Sequence, residues 1–187
     1  TKQDTFTAAD GAAQTVDFMH RTESGSYRKG DGYTAASRSL NYGRMVFVLP
    51  DEGVTPESLL QRQGFLAELT GDYNAAELVW SVPKFDVKSS TELNGVLQAL
   101  GVTDAFDMAE ADFTPLTDNG AFLSSAMQAA RVKIDEEGVE AAAYTEIVCA
   151  DSAMMEVPPT VEMELDRPFL FVIFDYNNVP LFVGTVN

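Results

Sequence analysis

Short apolar runs separated by turn residues predict a chain made mostly of strands. Strands are predicted at residues 16–21 and 45–49, with the glycine-rich residues 25–32 between them. Two more strands are predicted at residues 76–82 and 85–87, because Pro83 restricts the junction and prevents one continuous strand.

The last third of the chain holds two runs that are apolar at almost every position, residues 169–174 and 181–186. Such runs are typical of strands that are buried on both faces. The intervening residues 176–180 contain two Asn and one Pro, so we predict a hairpin. Residues 121–135 are ambiguous, because their alanines favour a helix whereas residues 131–135 alternate like a strand.

Two helices are predicted. Thr55 is a typical N-cap, and Pro56, Glu57 and the leucines after them predict a helix of about four turns. Ser89 and Glu92 match a capping box before a second helix. Its apolar positions have helical spacing and end before Gly101: Leu93, Val96, Leu97 and Leu100. Without a break in composition along the chain, we expect one domain of the α+β class in which strands dominate.

Charge excludes several kinds of partner. The 187 residues include 12 Lys and Arg against 29 Asp and Glu, which gives a net charge of −17 at pH 7. Because this charge repels phosphate and sulfate groups, we expect no nucleic acid, no membrane surface and no heparin-like polyanion as a partner. The single cysteine, Cys149, excludes an intrachain disulfide and a cysteine-rich metal site.

Candidate catalytic residues do not combine into a site. Ser81 and Lys84 match the Ser-x-x-Lys pattern of acyl-transfer enzymes, but that pattern needs a helix, and Pro83 in a predicted strand prevents one. His20 is the only histidine and has no recognisable triad partners, so we expect it on the surface at the end of a strand. Acidic runs such as residues 135–137 are typical of solvated surfaces. We therefore predict no catalytic residues, no cofactor and no metal.

Residues 136–159 combine contradictory features. They begin with acids and a glycine and end with two prolines, as a connection does, but they exceed the usual length of an unstructured connection. From residue 139 onward, every second residue is small or apolar, and the residues between them (the other parity) carry the polar groups, as in a strand with one buried face. The positions of the uncharged parity are Val139, Ala141, Ala143, Thr145, Ile147 and Cys149. Such a conflict between an exposed connection and a strand tends to mark a functional site.

The beginning of this segment, EEGVEAAAYT, resembles the hinge signature of the serpin family, Glu-x-Gly-Thr-Glu-Ala-Ala-Ala-x-Thr. Other stretches of the chain are similar to family motifs in the family's order. They are Leu49-Pro50-Asp51-Glu52, Val82-Pro83-Lys84-Phe85, Ala111-Asp112-Phe113, Arg167-Pro168-Phe169 and Leu181-Phe182-Val183-Gly184. The resemblance extends from about residue 6 to residue 186 and identifies the chain as similar to the C-terminal half of a serpin.

The resemblance implies the C-terminal part of a single serpin domain over residues 1–187, with pieces of the three serpin sheets and a few helices, and without the N-terminal half. It makes residues 121–135 a strand of the central sheet and about residues 138–160 the reactive-centre loop. The implied hinge is Glu136, Glu137, Gly138, Val139, Glu140, Ala141, Ala142, Ala143, Tyr144 and Thr145. The uncharged alternate residues from Val139 to Cys149 would face the interior of the protein after the loop inserts into the sheet, because burying an unpaired charge there would oppose insertion.

The implied function is suicide-substrate inhibition of serine proteases. A protease cleaves the loop and forms an acyl-enzyme, and the inserting loop then distorts the protease before the ester is hydrolysed. The family's usual register places the reactive bond between Ser152 and Ala153, whose small side chains suit elastase-like or subtilisin-like proteases. Two other registers remain open: Met154 and Met155, for a wide apolar pocket, or Asp151 and Ser152, for an Asp-specific protease.

Other implications concern regulation, partners and location. Gln128 stands where the family usually has His, in the region that controls sheet opening, so a pH response at that position would be lost. The implied partners are the target protease and the missing N-terminal half, and the acidic chain fits a secreted protein. The alternative function is that of a non-inhibitory serpin that acts as a carrier, chaperone or storage protein. A third is a peptide-binding module at an open sheet edge.

Overall fold

A computed structural model describes residues 1–136 and 158–187, which form two units. The first unit comprises Thr1–Phe85 and Ile134–Asn187, and the second comprises Asp86–Lys133. The strands are β1 (Lys2–Thr7), β2 (Ala13–Gly30), β3 (Tyr33–Leu40), β4 (Gly43–Pro50), β5 (Asn74–Pro83), β6 (Phe85–Glu92), β7 (Met127–Ile134), β8 (Thr160–Glu164), β9 (Phe169–Phe174) and β10 (Pro180–Val186). The helices are α1 (Pro56–Leu60), α2 (Phe65–Glu68), α3 (Asn94–Ala99) and a 3-10 turn, Asp104–Phe106.

The first unit is built on an eight-stranded sheet with the order β10-β9-β4-β3-β2-β5-β8, in which β1 also pairs with β2. The neighbouring strands are antiparallel except for β5 and β8, which run parallel. The predominance of strands confirms the predicted strand-dominated α+β class.

The central strands β4 and β9 are buried on both faces, as their continuous apolar runs predict. On one face, Val48 and Val172 join the core under α1 and α2, where the rings of Tyr33 and Phe65 meet edge to face at 5.4 Å. On the other face, Phe47 of β4 and Phe169 and Phe171 of β9 join an aromatic cluster. The cluster also contains Trp80 of β5 and Phe85 of β6.

The predicted four-turn helix after Thr55 is wrong in length. Thr55 does cap α1, since its hydroxyl accepts a hydrogen bond from the Ser58 amide, but α1 has five residues. The chain then turns at Gly64, whose φ of 80° lies in the left-handed region, before α2 begins. A helix cannot continue through that conformation, so the leucines belong to two short helices.

The glycine-rich stretch at residues 25–32 is not simply a turn. Strand β2 runs through Gly25 to Gly30, and the turn to β3 occurs afterwards, at Gly32, with φ of 78°. A Cβ atom on Gly25 would lie 2.5 Å from Leu78 Cδ1 of the paired strand β5. Gly25 therefore permits a close approach within a strand, which a sequence pattern cannot distinguish from a turn. His20 consequently lies exposed in the middle of β2 and not at a strand end.

The C-terminal hairpin is confirmed, but burial of its second strand on both faces is wrong. Strand β10 pairs with β9 and lies at the edge of the sheet. Leu181, Phe182 and Val183 are 54%, 42% and 42% exposed. An edge strand has a neighbour on one side only, so an apolar run does not by itself guarantee burial.

The second unit contains most of β6 and β7, which pair as a two-stranded sheet, together with α3. The resemblance implied a strand of the central sheet over residues 121–135. The strand covers residues 127–134, within the two-stranded sheet, and residues 121–126 are neither strand nor helix. The capping box at Ser89 and Glu92 is wrong, because β6 extends through both residues and Leu93 begins α3 without a side-chain cap. Gly101 ends the helical segment with φ of 94°, but no residue of α3 is buried, and Leu100 is 76% exposed.

Within residues 1–136 and 158–187, no helix has the length and apolar character needed to cross a membrane. The same residues contain no group of three or more His, Cys, Asp and Glu side chains placed to hold a metal ion. Ser81 lies within strand β5, which confirms that the Ser-x-x-Lys pattern is not on a helix.

Candidate functional site

The described chain leaves β7 at Ile134 and reaches Glu136, the first residue of the predicted hinge. There, the Oε2 atom of Glu136 lies 2.7 Å from Nζ of Lys84, the residue directly after β5. The Lys84 side chain is 31% exposed and that of Glu136 is 50% exposed, so solvent reaches this ion pair. The contact links Glu136, the first residue of the predicted hinge, to the junction between β5 and β6.

Both members of this pair stay charged over a wide pH range. The hydrogen bond to Lys84 is the main cause that lowers the pKa of Glu136. In return, the hydrogen bond from Glu136 is the main cause that raises the pKa of Lys84, with a smaller contribution from the carboxylate of Asp17. Since Lys84 also donates its backbone N–H to the carbonyl of Asp17 at 2.8 Å, its position is set by β2 as well.

On the C-terminal side of residues 137–157, Pro159 lies against β5. The carbonyl of Pro159 accepts a hydrogen bond from the Glu77 amide at 3.0 Å. Strand β8 follows and pairs with β5 from Thr160, opposite Glu77, to Glu164, opposite Ser81. The side that follows the predicted reactive loop is therefore a regular strand of the large sheet.

The contacts to Glu136 and to Pro159 thus come from Lys84, directly after β5, and from Glu77, within β5. Glu77 and Lys84 are seven residues apart, which in an extended strand corresponds to roughly 23 Å. Glu136 and Pro159 are consequently held at two separate positions, one directly after β5 and one within it.

Most of the predicted site residues lie outside the described residues. These are the hinge after Glu136, the inward-facing positions and all three candidate reactive bonds: Glu137, Gly138, Val139, Glu140, Ala141, Ala142, Ala143, Tyr144, Thr145, Ile147, Cys149, Asp151, Ser152, Ala153, Met154 and Met155. Of the described site residues, Glu136 lies in the ion pair and Gln128 is exposed on β7.

Sequence reasoning missed Lys84 and Glu77 as contributors to this site. Lys84 was noted only within a family motif and a rejected enzyme pattern. Its contact with Glu136 depends on the pairing of strands far apart in the chain, and no local pattern encodes that pairing. The restricting Pro83 next to Lys84 was the one local signal that this junction is special.

Comparison with known proteins identifies the family. The family model for serpins, described as serine protease inhibitors, matches residues 1–187. Alpha-1-antiproteinase 2 of Equus caballus is 31% identical over 193 residues, covering 100% of this chain and 44% of that protein.

Two solved structures share the fold. Native protease nexin-1 with heparin has 25% identity and a TM-score of 0.76, covering 100% of this chain and 49% of that one. A thyroxine-binding globulin complex with thyroxine has 26% identity and a TM-score of 0.76, covering 99% and 49%. The chain spans about half the length of these proteins. The family match along the whole chain and the fold together establish that this chain belongs to the serpin family.

Proposed function

We propose that the protein containing this chain is a suicide-substrate inhibitor of serine proteases, with residues 138–160 as its reactive-centre loop. The family as a whole is one of protease inhibitors, which supports this class of function. The absence of catalytic residues, of a cofactor and of a metal is part of the proposal.

The observation that carries the proposal is the composition of the hinge next to β7. From Val139 to Cys149 every second residue is small or apolar and uncharged. A strand that enters a sheet buries one parity of its side chains, and an unpaired charge there would oppose entry. The hinge begins at Glu136, two residues after the end of β7, so it is positioned to extend the sheet to which β7 belongs.

The chemistry begins as ordinary proteolysis. The hydroxyl oxygen of the protease serine attacks the carbonyl carbon of Ser152, and the peptide bond to Ala153 breaks. The nitrogen of Ala153 takes up a proton and leaves as a new amino terminus, while Ser152 remains joined to the protease through an ester. Insertion of the freed hinge then displaces the protease and removes the oxyanion-hole alignment that hydrolysis of the ester needs.

The loop sequence suggests the target class. Ser152 and Ala153 have small side chains, which suit the shallow pockets of elastase-like and subtilisin-like proteases. Met154 with Met155, or Asp151 with Ser152, would define the other two registers. Charge argues against a heparin-like activator, since the chain carries −17 at pH 7, although nexin-1 has been solved with heparin.

The second partner is the other half of the serpin domain. The exposed apolar run Leu181, Phe182 and Val183 on the edge strand β10 supports this proposal, because large exposed apolar side chains in groups mark surfaces that another segment covers. We also propose that the protein is secreted, as serpins that meet extracellular proteases are.

The test is to mix the full-length protein with an elastase-like protease and to separate the products on a denaturing gel with mass spectrometry. A covalent adduct and a released peptide that begins at Ala153 are expected. A peptide that begins at Met155 or at Ser152 would keep the mechanism and move the bond. Cleavage without an adduct by each of several proteases would rule out inhibition.

The carrier function is the second candidate, and the similarity to thyroxine-binding globulin in complex with thyroxine favours it. A carrier serpin predicts cleavage of the loop with neither an adduct nor a large gain in stability. Comparing the unfolding temperatures of the intact and cleaved protein distinguishes the inhibitory from the carrier function. In an inhibitor, the inserted loop adds a strand to the sheet and raises the unfolding temperature.

A further inference from the structure

The chain contains two Asn-Gly pairs, Asn94-Gly95 and Asn119-Gly120, and both lie in the second unit. Asparagine is a labile residue, because the carbon of its side-chain amide can react with the backbone nitrogen of the next residue. A following glycine favours this reaction, since it has no Cβ atom that hinders the approach. The two pairs are identical in sequence, so a difference in their reactivity has to come from the structure around them.

The side chain of Asn94 is held by two hydrogen bonds. Its Nδ2 atom donates to the carbonyl oxygen of Ser124 at 3.3 Å, and its Oδ1 atom accepts from the backbone N–H of Ala126 at 2.7 Å. Both bonds hold the amide against a segment about thirty residues further along the chain. Asn94 is also the first residue of α3, so its φ and ψ angles are fixed by the helix. Its amide carbon can therefore meet the nitrogen of Gly95 only after these contacts have opened.

Asn119 lies in the connection between the 3-10 turn and β7, and both Asn119 and Gly120 are exposed. The backbone N–H of Asn119 donates to the hydroxyl of Thr117 at 3.2 Å. In the part of the chain that the structure describes, neither the side-chain amide of Asn119 nor the backbone N–H of Gly120 has a hydrogen-bond partner. The two groups that react are consequently free to turn toward each other.

We propose that Asn119 is a site of spontaneous deamidation in the folded protein and that the structure protects Asn94 from the same reaction. Hydroxide removes the proton from the backbone nitrogen of Gly120, and this nitrogen forms a bond to Cγ of Asn119. The bond from Cγ to Nδ2 breaks, ammonia leaves, and a five-membered succinimide ring remains.

Water then opens the ring at one of its two carbonyl carbons. Opening at Cγ leaves aspartate at residue 119, whereas opening at the backbone carbonyl carbon leaves isoaspartate, in which the main chain runs through Cγ. In both products an OH group from water has replaced the NH₂ group, and ionisation of the new carboxyl group adds one negative charge. The reaction requires no other reagent, and it does not depend on the proposed inhibitory function.

The chain is anchored between this site and β7. The backbone N–H of Leu123 donates to the carbonyl of Ala105 at 2.8 Å. Asn94 then holds Ser124 and Ala126 through its side chain. The additional main-chain atom of isoaspartate is therefore accommodated before Leu123, and we expect β7 to keep its position and the protein to keep its unfolding temperature.

The test is to incubate the full-length protein at neutral and at mildly alkaline pH in water enriched in the heavy oxygen isotope. The protein is then digested in acid, where the reaction is slow, and the peptides are analysed by mass spectrometry after separation of aspartate from isoaspartate. Both products with heavy oxygen are expected at residue 119, and their rate of formation should rise with the hydroxide concentration. Asn94 should react at least about tenfold more slowly, because its hydrogen bonds must open first.

Two controls separate structure from sequence. Gly120→Ala should fold normally, since no atom lies within 4 Å of its Cβ position and its φ is outside the left-handed region. The added methyl group should slow deamidation of Asn119 severalfold. In the protein unfolded by denaturant, Asn94 and Asn119 should react at similar rates, because only the shared Asn-Gly sequence then acts.

The proposal is overturned if the folded protein gains no heavy oxygen at residue 119 or if Asn94 reacts as fast as Asn119. It is also overturned if the ratio of the two rates is the same in the folded and the unfolded protein. A lower unfolding temperature after incubation of the original protein, but not of Gly120→Ala, would contradict the local accommodation of the change and would support the site itself.

Discussion

Lys84 and Glu136 form an ion pair with Nζ and Oε2 2.7 Å apart, which ties the junction after β5 to the first residue of the hinge. The pKa of Glu136 is lowered, so its contribution to stability is present above its ordinary value of 4.5 and is lost as the pH falls through the lowered value. The pKa of Lys84 is raised, so its contribution is present below 10.5 and is lost as the pH rises through the raised value. The pair therefore acts throughout the neutral range.

We predict that a double-mutant cycle with Lys84→Gln and Glu136→Gln shows a favourable coupling at neutral pH. The coupling should be small, because solvent reaches both side chains, and it should decrease in high salt. It should disappear in acid, once Glu136 is protonated. The measurement is the free energy of unfolding by denaturant in the full-length protein, with Lys29→Gln and Glu136→Gln as an additive control. A coupling that persists in acid would show that the two residues interact through packing.

Gly43 is predicted to be the least replaceable glycine at the turns of the large sheet. Its φ is 140°, and a Cβ atom there would lie 1.9 Å from the carbonyl oxygen of Phe174. Gly43→Ala should therefore lower the free energy of unfolding by about 3 kcal/mol or more, from backbone strain and from overpacking. Gly53→Ala is the matched control, since Gly53 also has a positive φ, of 82°, but has no atom within 4 Å of its Cβ position. Equal losses in the two variants would mean that φ alone decides the effect.

Local patterns predicted the parts of the fold that depend on local physics. The continuous apolar run of residues 169–174 became the buried strand β9, which lies between β10 and β4 and is covered on one face by the core under α1 and α2 and on the other by the aromatic cluster. The run at residues 181–186 is also mostly apolar and became an exposed edge strand, since edge position is decided by topology. Likewise, Ser89 and Glu92 match a helix cap, and pairing between β6 and β7 makes them a strand.

In the candidate site, too, some features follow from local sequence and others depend on which strands pair. The proposed hinge can be predicted from sequence, because the proposed insertion requires small, uncharged side chains at alternate positions, which is a requirement on single residues. Lys84 is not recognisable as its partner, because Lys84 directly precedes β6, Glu136 follows β7, and the two meet only once these strands, far apart in the chain, have paired. A small cavity lined by Met45, Trp80 and Ile134, among others, combines residues of the five strands β2, β3, β4, β5 and β7 and could not be predicted from any local segment.

The parity of the hinge gives a prediction with a matched pair of variants. Ala141→Glu places a charge on the inward parity and should abolish the covalent adduct, since insertion would bury an unpaired carboxylate. Ala142→Glu makes the same change on the outward parity and should leave adduct formation nearly intact. Cleavage of the loop itself should continue in both variants. The adduct and cleaved fractions are measured on denaturing gels, and equal loss of adduct in both variants would contradict the assigned parity.

The identity of residue 152 should decide which protease is trapped. Ser152→Arg places a long cation on the acyl side of the proposed reactive bond and should turn the protein from an inhibitor of elastase-like proteases into one of trypsin-like proteases. The hinge is unchanged, so adduct formation should persist and the released peptide should still begin at Ala153. Met154→Arg is the matched control: if the bond follows residue 152, trypsin cleaves that variant two residues later, which lengthens the inserted segment and should lower the trapped fraction. Efficient trapping by Met154→Arg and mere cleavage of Ser152→Arg would move the reactive bond to Met154 and Met155.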